Sequence, residues 1–179
     1  MLSDEMERFY KRWKKKANGY NISELKGCFD KFITLFIVYN FLYNRVDSSE
    51  NSDKKKATIR VLSCIEAEYL NQELFKKKIK KTGEAFANLI EVMENFSFHR
   101  YSISGKTREQ LDKELFVDLK DGSVNEKMEA LLLILYLIRC NMFHGSKDFE
   151  YRQESLLKPS IILLNRIVEI LHGKLSENT

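Results

Sequence analysis

The stretch VNEKMEALLLILYLIRCNMFHG, residues 124–145, decides the fold class. Ala130 through Ile138 is unbroken in apolar character, with Glu126, Lys127 and Glu129 before it and Arg139 after it. An apolar run of that length is compatible with a buried strand, but its flanks extend the pattern past strand length, and Leu, Ala and Met favour a helix. Gly145 stands where a residue just past a helix C-terminus would end it. Composition points the same way. One proline and seven glycines in 179 residues are too few for an all-β sandwich or barrel, which needs turn residues every ten positions or so. The expected fold is all-α.

Further out, residues 155–173 repeat the pattern through Leu156, Leu157, Ile161, Leu164, Ile167, Val168 and Leu171, with Pro159 in the early turns and Gly173 at the end. Residues 22–45, opened by Asn21 or Ser23 as N-cap, are apolar nearly all round and belong at the centre of a bundle or against a second subunit. Before them, Ser3 to Lys16 sets Met6, Phe9, Tyr10 and Trp13 on one stripe, as expected of an outer helix. A polar connector, Asp47 to Asp53, precedes a helical pattern that runs from Ile59 to Met93 with a break and a kink at Gly83. From Ser97 to Asn125 the pattern weakens into a long irregular excursion holding one short helix, Thr107 to Leu115, capped by Thr107. The organisation expected is one all-α domain over 1–179, with an N-terminal helix in 1–20 lying outside a core bundle of 22–175.

Forty-four per cent hydrophobic and 31% charged residues exclude a disordered chain or a bulk membrane protein. The greasiest interior stretch outside the 130–138 run, Phe32 to Tyr43, holds Thr34 and Asn40 and is shorter than the ~20 residues of a span. No apolar signal segment opens the chain, so a cytoplasmic protein without membrane contact is expected. Cys28, Cys64 and Cys140 form no CxxC pair, which speaks against a disulfide framework or a metal site. No cofactor-binding loop occurs either. Net charge is +4, too near balance to mark a nucleic-acid binder by itself. The basic clusters Lys11–Lys16, Lys54–Lys56 and Lys76–Lys81 are either phosphate contacts or solvated helix faces. Structural roles are expected for His99 and His172.

The chemistry concentrates at Arg139-Cys140-Asn141-Met142-Phe143-His144-Gly145. On a straight helix Asn141 and His144 lie about 60° apart, whereas Arg139 is about 140° from His144. Arg139 and His144 therefore converge only if the helix ends near Phe143, or if two copies pool their residues across a two-fold axis. A histidine can withdraw the 2′-proton of RNA or protonate the leaving 5′-oxygen, an arginine can hold the phosphate, and an amide can orient either. An ordinary helix C-terminus, with cations complementing the dipole, carries the same residue types.

Arg139-x4-His144, with Asn141 inside and Gly145 behind, resembles the R-x4-6-H motif of the HEPN superfamily, late in a small helical chain. The asparagine follows Cys140, whereas the family's polar residue usually follows the arginine directly. The resemblance implies an all-α helical bundle of HEPN type acting as a homodimeric, metal-independent endoribonuclease of toxin or defence systems. It makes Arg139 and His144 the catalytic pair, Asn141 their support, RNA the substrate, and an antitoxin or regulatory protein a partner. Lys147 and Arg152, just beyond the motif, are candidate RNA contacts. The alternative keeps the fold without catalysis, as a dimeric RNA- or nucleotide-binding or regulatory module.

Overall fold

The computed structural model describes residues 4–46, 51–77, 79–94, 98–99, 102–143 and 152–177. Every regular element among them is helical, so the chain is an all-α bundle. In order they are α1 (Asp4–Asn18), α2 (Leu25–Val46), α3 (Asp53–Lys55), a π-helical turn (Lys56–Arg60), α4 (Val61–Ile65), α5 (Ala67–Leu74), α6 (Lys80–Met93), α7 (Arg108–Asp121), α8 (Val124–Phe143) and α9 (Arg152–Glu177). The single β-type pairing in the described residues is a bridge from Ile103 to Lys106. It is closed by Ser104 and Gly105, both at positive φ, as a tight reversal of the type I′ kind requires.

The bundle is organised around α2 and α9. Phe32, Leu35, Tyr39 and Leu42 of α2 and Leu164, Ile167, Val168 and Leu171 of α9 are all buried, and α9 also packs along α6 and α5. Burial of a side chain of that size stabilises the fold by roughly 1.5–3 kcal/mol before entropy is counted. On the other side, α8 buries Met128, Leu131, Leu132 and Leu135 and lies against α7, α5 and the π-helical turn. At the entry to α2 the backbone of Asn21 folds against the helix so closely that a Cβ on Gly27 would stand 1.6 Å from the Asn21 carbonyl oxygen. Only glycine fits there.

Helix α1 lies across both central helices. Its Phe9 ring stacks on Phe41 of α2 at 4.1 Å, and its Tyr10 ring stacks on His172 of α9 at 3.6 Å. Glu7 Oε2 lies 2.8 Å from His172 Nε2, and Lys14 Nζ donates to Glu169 at 3.0 Å and to Asn165.

Several expectations about boundaries are corrected. The 97–125 region is not one irregular excursion: α7 runs past Leu115 to Asp121. Its start is a capping box, with the Thr107 amide donating to Gln110 Oε1 at 2.8 Å and the Gln110 amide to Thr107 Oγ1 at 3.3 Å. A second reciprocal pair, Ser123 with Glu126, opens α8. Asn21 does not cap α2; its side chain accepts from the Ser23 amide before the helix begins. The break after α5 falls at Phe75 to Ile79, and Gly83 sits in the first turns of α6 without ending anything. Gly173 likewise stays inside α9, which continues to Glu177, because packing of Leu171 and Leu175 against the core outweighs the propensity cost of ~1 kcal/mol. Pro159 is also internal to α9.

Candidate functional site

The last two turns of α8 carry the residues singled out by sequence, and the helix sends them in different directions. Arg139 is half-buried at the rim of a groove of about 520 Å3 whose walls come from α1 and α2. Its guanidinium lies 5.8 Å over the Phe36 ring, an arrangement that holds the planar group flat against an apolar floor. Its Nη1 also approaches Cys140 Sγ at 3.9 Å.

Around Arg139 the polar atoms of α2 form a chain. Lys56 Nζ donates to Asn44 Oδ1 at 3.3 Å, Asn44 Nδ2 to Asn40 Oδ1 at 2.8 Å, and Asn40 Nδ2 to Tyr43 Oη at 2.7 Å. Burial raises the Tyr43 hydroxyl above the ordinary tyrosine value, with Asp53 adding to the effect and Arg139 opposing it. Burial also pushes Tyr136 up to about 12, with Cys140 adding and Arg139 opposing. Both phenols thus keep their protons at neutral pH, and the positive charge of Arg139 is not neutralised by a phenolate.

Asn141 is turned away from that groove. Two positions along a helix correspond to directions roughly 160° apart, and the Asn141 side chain donates from Nδ2 to the Phe98 carbonyl oxygen at 3.1 Å. The segment it reaches is clamped from α7: the amides of Phe98 and His99 donate to the Asp112 carboxylate at 3.0–3.2 Å, and His99 Nδ1 lies 2.8 Å from Asp112 Oδ1. Phe98 and His99 are buried. Within one chain, then, Arg139 and Asn141 do not share a site. His144, Lys147 and Gly145 lie outside the described residues; Arg152 begins α9, and its side chain lies outside them too.

Of the basic clusters, the α1 run is divided by the packing. Lys11 pairs with Glu7 at 3.1 Å, Lys14 is directed into α9, and Lys16 lies 4.9 Å over Trp13. Arg12 instead joins Arg8, Glu5, Phe9 and Phe41 in a second groove of about 390 Å3. Arg45, which lies 5.2 Å over Phe41, lines the first groove together with Arg139. Neither Arg8 nor Arg45 stood out in the sequence. The available signal was Asn40 and Asn44, one turn apart on an otherwise greasy helix, with Arg45 beside them.

Among the described residues no cluster of His, Cys, Asp or Glu is arranged to hold a metal ion, and no helix is long and apolar enough to cross a membrane. All three cysteines are unpaired thiols. No family model, curated protein or solved structure matches the chain.

Proposed function

We propose that the protein is a metal-independent endoribonuclease of the HEPN type, acting as a homodimer whose two motif helices supply one composite site. The observation that carries this reading is Arg139, seated on Phe36 at the mouth of a groove that Arg45 also lines, at the end of the helix bearing the Arg139-x4-His144 motif. A guanidinium presented in this way suits a phosphate, which it can grip through two parallel hydrogen bonds.

In the proposed reaction the RNA 2′-oxygen attacks the adjacent phosphorus, and the bond from phosphorus to the 5′-oxygen breaks. His144 of one chain takes the 2′-proton, and His144 of the second copy protonates the departing 5′-oxygen. Arg139 stabilises the charge that builds on the non-bridging oxygens. The products are a 2′,3′-cyclic phosphate and a 5′-hydroxyl end.

One observation favours a second reading, a non-catalytic RNA-binding module. Asn141, which the family pattern would place in support of the reaction, is hydrogen-bonded to the Phe98 carbonyl. The two readings separate in one assay: cleavage of mixed RNAs in excess EDTA by the wild type, Arg139→Ala and His144→Ala. The ribonuclease reading expects 2′,3′-cyclic ends from the wild type and about 10²–10³-fold slower cleavage by either variant. Equal rates in wild type and His144→Ala, or no cleavage of any RNA by the wild type, overturn it. Light scattering of the pure protein tests the dimer.

A further inference from the structure

The two grooves beside α1 share their central residues, and their chemistry identifies a ligand more specific than "RNA". Phe9 and Phe41, stacked at 4.1 Å, line both grooves and form the ridge between them. Ile33 and Ile37, one turn apart on α2, add a half-buried aliphatic wall to the larger one. The charged residues lining the pair are Arg8, Arg12, Arg45 and Arg139 against Glu5 alone. Arg8, Arg12 and Arg45 are exposed, so their guanidiniums are available to an anion arriving from solvent.

A flat apolar ligand with several negative charges matches this surface. The larger groove, at about 520 Å3, is of the size that takes a small organic group such as a nucleobase. A duplex buries the faces of its bases in its own stack, whereas an unpaired strand can lay them against aromatic and aliphatic walls. A second copy of the chain is a poor occupant, because a two-fold contact would set these arginines against their own counterparts.

We propose that the grooves between α1, α2 and α8 bind single-stranded RNA, with a base against the Phe9–Phe41 ridge and the Ile33–Ile37 wall, and phosphates on Arg8, Arg12 and Arg45, leading the strand to Arg139. RNA as the ligand rests on the ribonuclease reading. The single-strand preference and the groove residues rest on the geometry.

The test measures fluorescence anisotropy of a labelled unstructured RNA and of its duplex form, using His144→Ala protein so that the RNA stays intact. Single-stranded RNA binds at least about tenfold more tightly than the duplex, in keeping with stacking that only unpaired bases can offer. Adding Arg12→Gln and Arg45→Gln together weakens single-strand binding about tenfold and lowers the salt-dependence slope by about 1.4, as loss of two phosphate contacts requires. Both positions are exposed, so the melting temperature of this variant stays that of its parent. Phe9→Ala weakens binding without changing the salt slope, because it removes stacking and leaves the charges in place. Duplex binding as tight as single-strand binding, or a double variant that binds like its parent, overturns the proposal. If the wild type cleaves RNA while the groove variants bind and cleave normally, the groove assignment fails and the ribonuclease reading stands. If the grooves bind as described and the wild type never cleaves, the ribonuclease reading fails and the groove assignment stands.

Discussion

The side-chain amide of Asn141 donates to the backbone carbonyl of Phe98 at 3.1 Å, which ties the last turns of α8 to the segment that Asp112 of α7 grips through the Phe98 and His99 amides. The end of the motif helix is therefore held from α7 through two links in series. Asn141→Ala should lower unfolding stability by about 1–2 kcal/mol, and Asp112→Ala by more, since it leaves two buried-segment amides without their acceptor. Because both links hold one segment, the double variant should lose less than the sum, by at least about 0.5 kcal/mol. Urea unfolding of the three variants measures this; strict additivity would show that the two links act independently.

Arg139 lies flat over Phe36, so its shape matters as well as its charge. Arg139→Lys keeps the charge and loses the planar fork that grips two phosphate oxygens. RNA cleavage should fall about 10²-fold, while loss of the ring contact, worth ~0.5–1 kcal/mol, shifts the melting temperature by about 2–4 °C at most. A variant that cleaves as fast as the wild type would remove Arg139 from the site.

Two glycines make opposite predictions from the space around them. A methyl on Gly27 would collide with the Asn21 carbonyl, which is backbone and cannot turn aside, so Gly27→Ala should destabilise by about 3 kcal/mol or more. Gly173 is inside α9 with nothing within 4 Å of a built Cβ. Gly173→Ala should therefore stabilise by about 0.5–1 kcal/mol, through lower unfolded-chain entropy. Thermal melting of both variants decides it, and a fall in melting temperature for Gly173→Ala would contradict the packing described.

Acid should loosen α1 first. The Glu7 carboxyl is held below its ordinary value by its hydrogen bond to Lys11 and then by His172. A carboxyl depressed in the folded state contributes stability above its unfolded value of about 4.3, and that contribution is lost as pH falls through the folded value. The group is partly exposed, so solvent screening keeps the effect below about 1 kcal/mol. Trp13, the only tryptophan, is on the same helix. Its emission should change below about pH 4 before far-ultraviolet circular dichroism is lost, and Glu7→Gln should abolish that early step. Coincident transitions in both signals would mean that α1 does not leave separately.

Helix identity was legible wherever one segment carried its own pattern. The α8 run reads as a helix from 124 to 143 and forms one over that span, because an apolar core flanked by charges satisfies both propensity and burial. Helix α7 was under-read for the opposite reason: it buries only Leu115 and Leu119, so its periodicity is faint, although the Thr107-x-x-Gln110 box that starts it was visible. Gly173 was over-read as a stop, since propensity was weighed without the tertiary contacts that hold the last turns of α9.

The sequence by itself determined that the chain is helical, where the motif helix begins, and that Arg139 and Asn141 point to different sides of it. Those are properties of composition and of a 100° rotation per residue, which are local. Only the tertiary structure decided what each side meets: Asn141 finds the Phe98 carbonyl, and Arg139 finds Phe36 and a groove shared with Arg45. Arg8 and Arg12 are far from Arg139 in the chain, and they border the same surface because α1 packs its Phe9 onto Phe41. Periodicity says which face of a helix is apolar, whereas the partner of that face is chosen by the packing of the whole bundle.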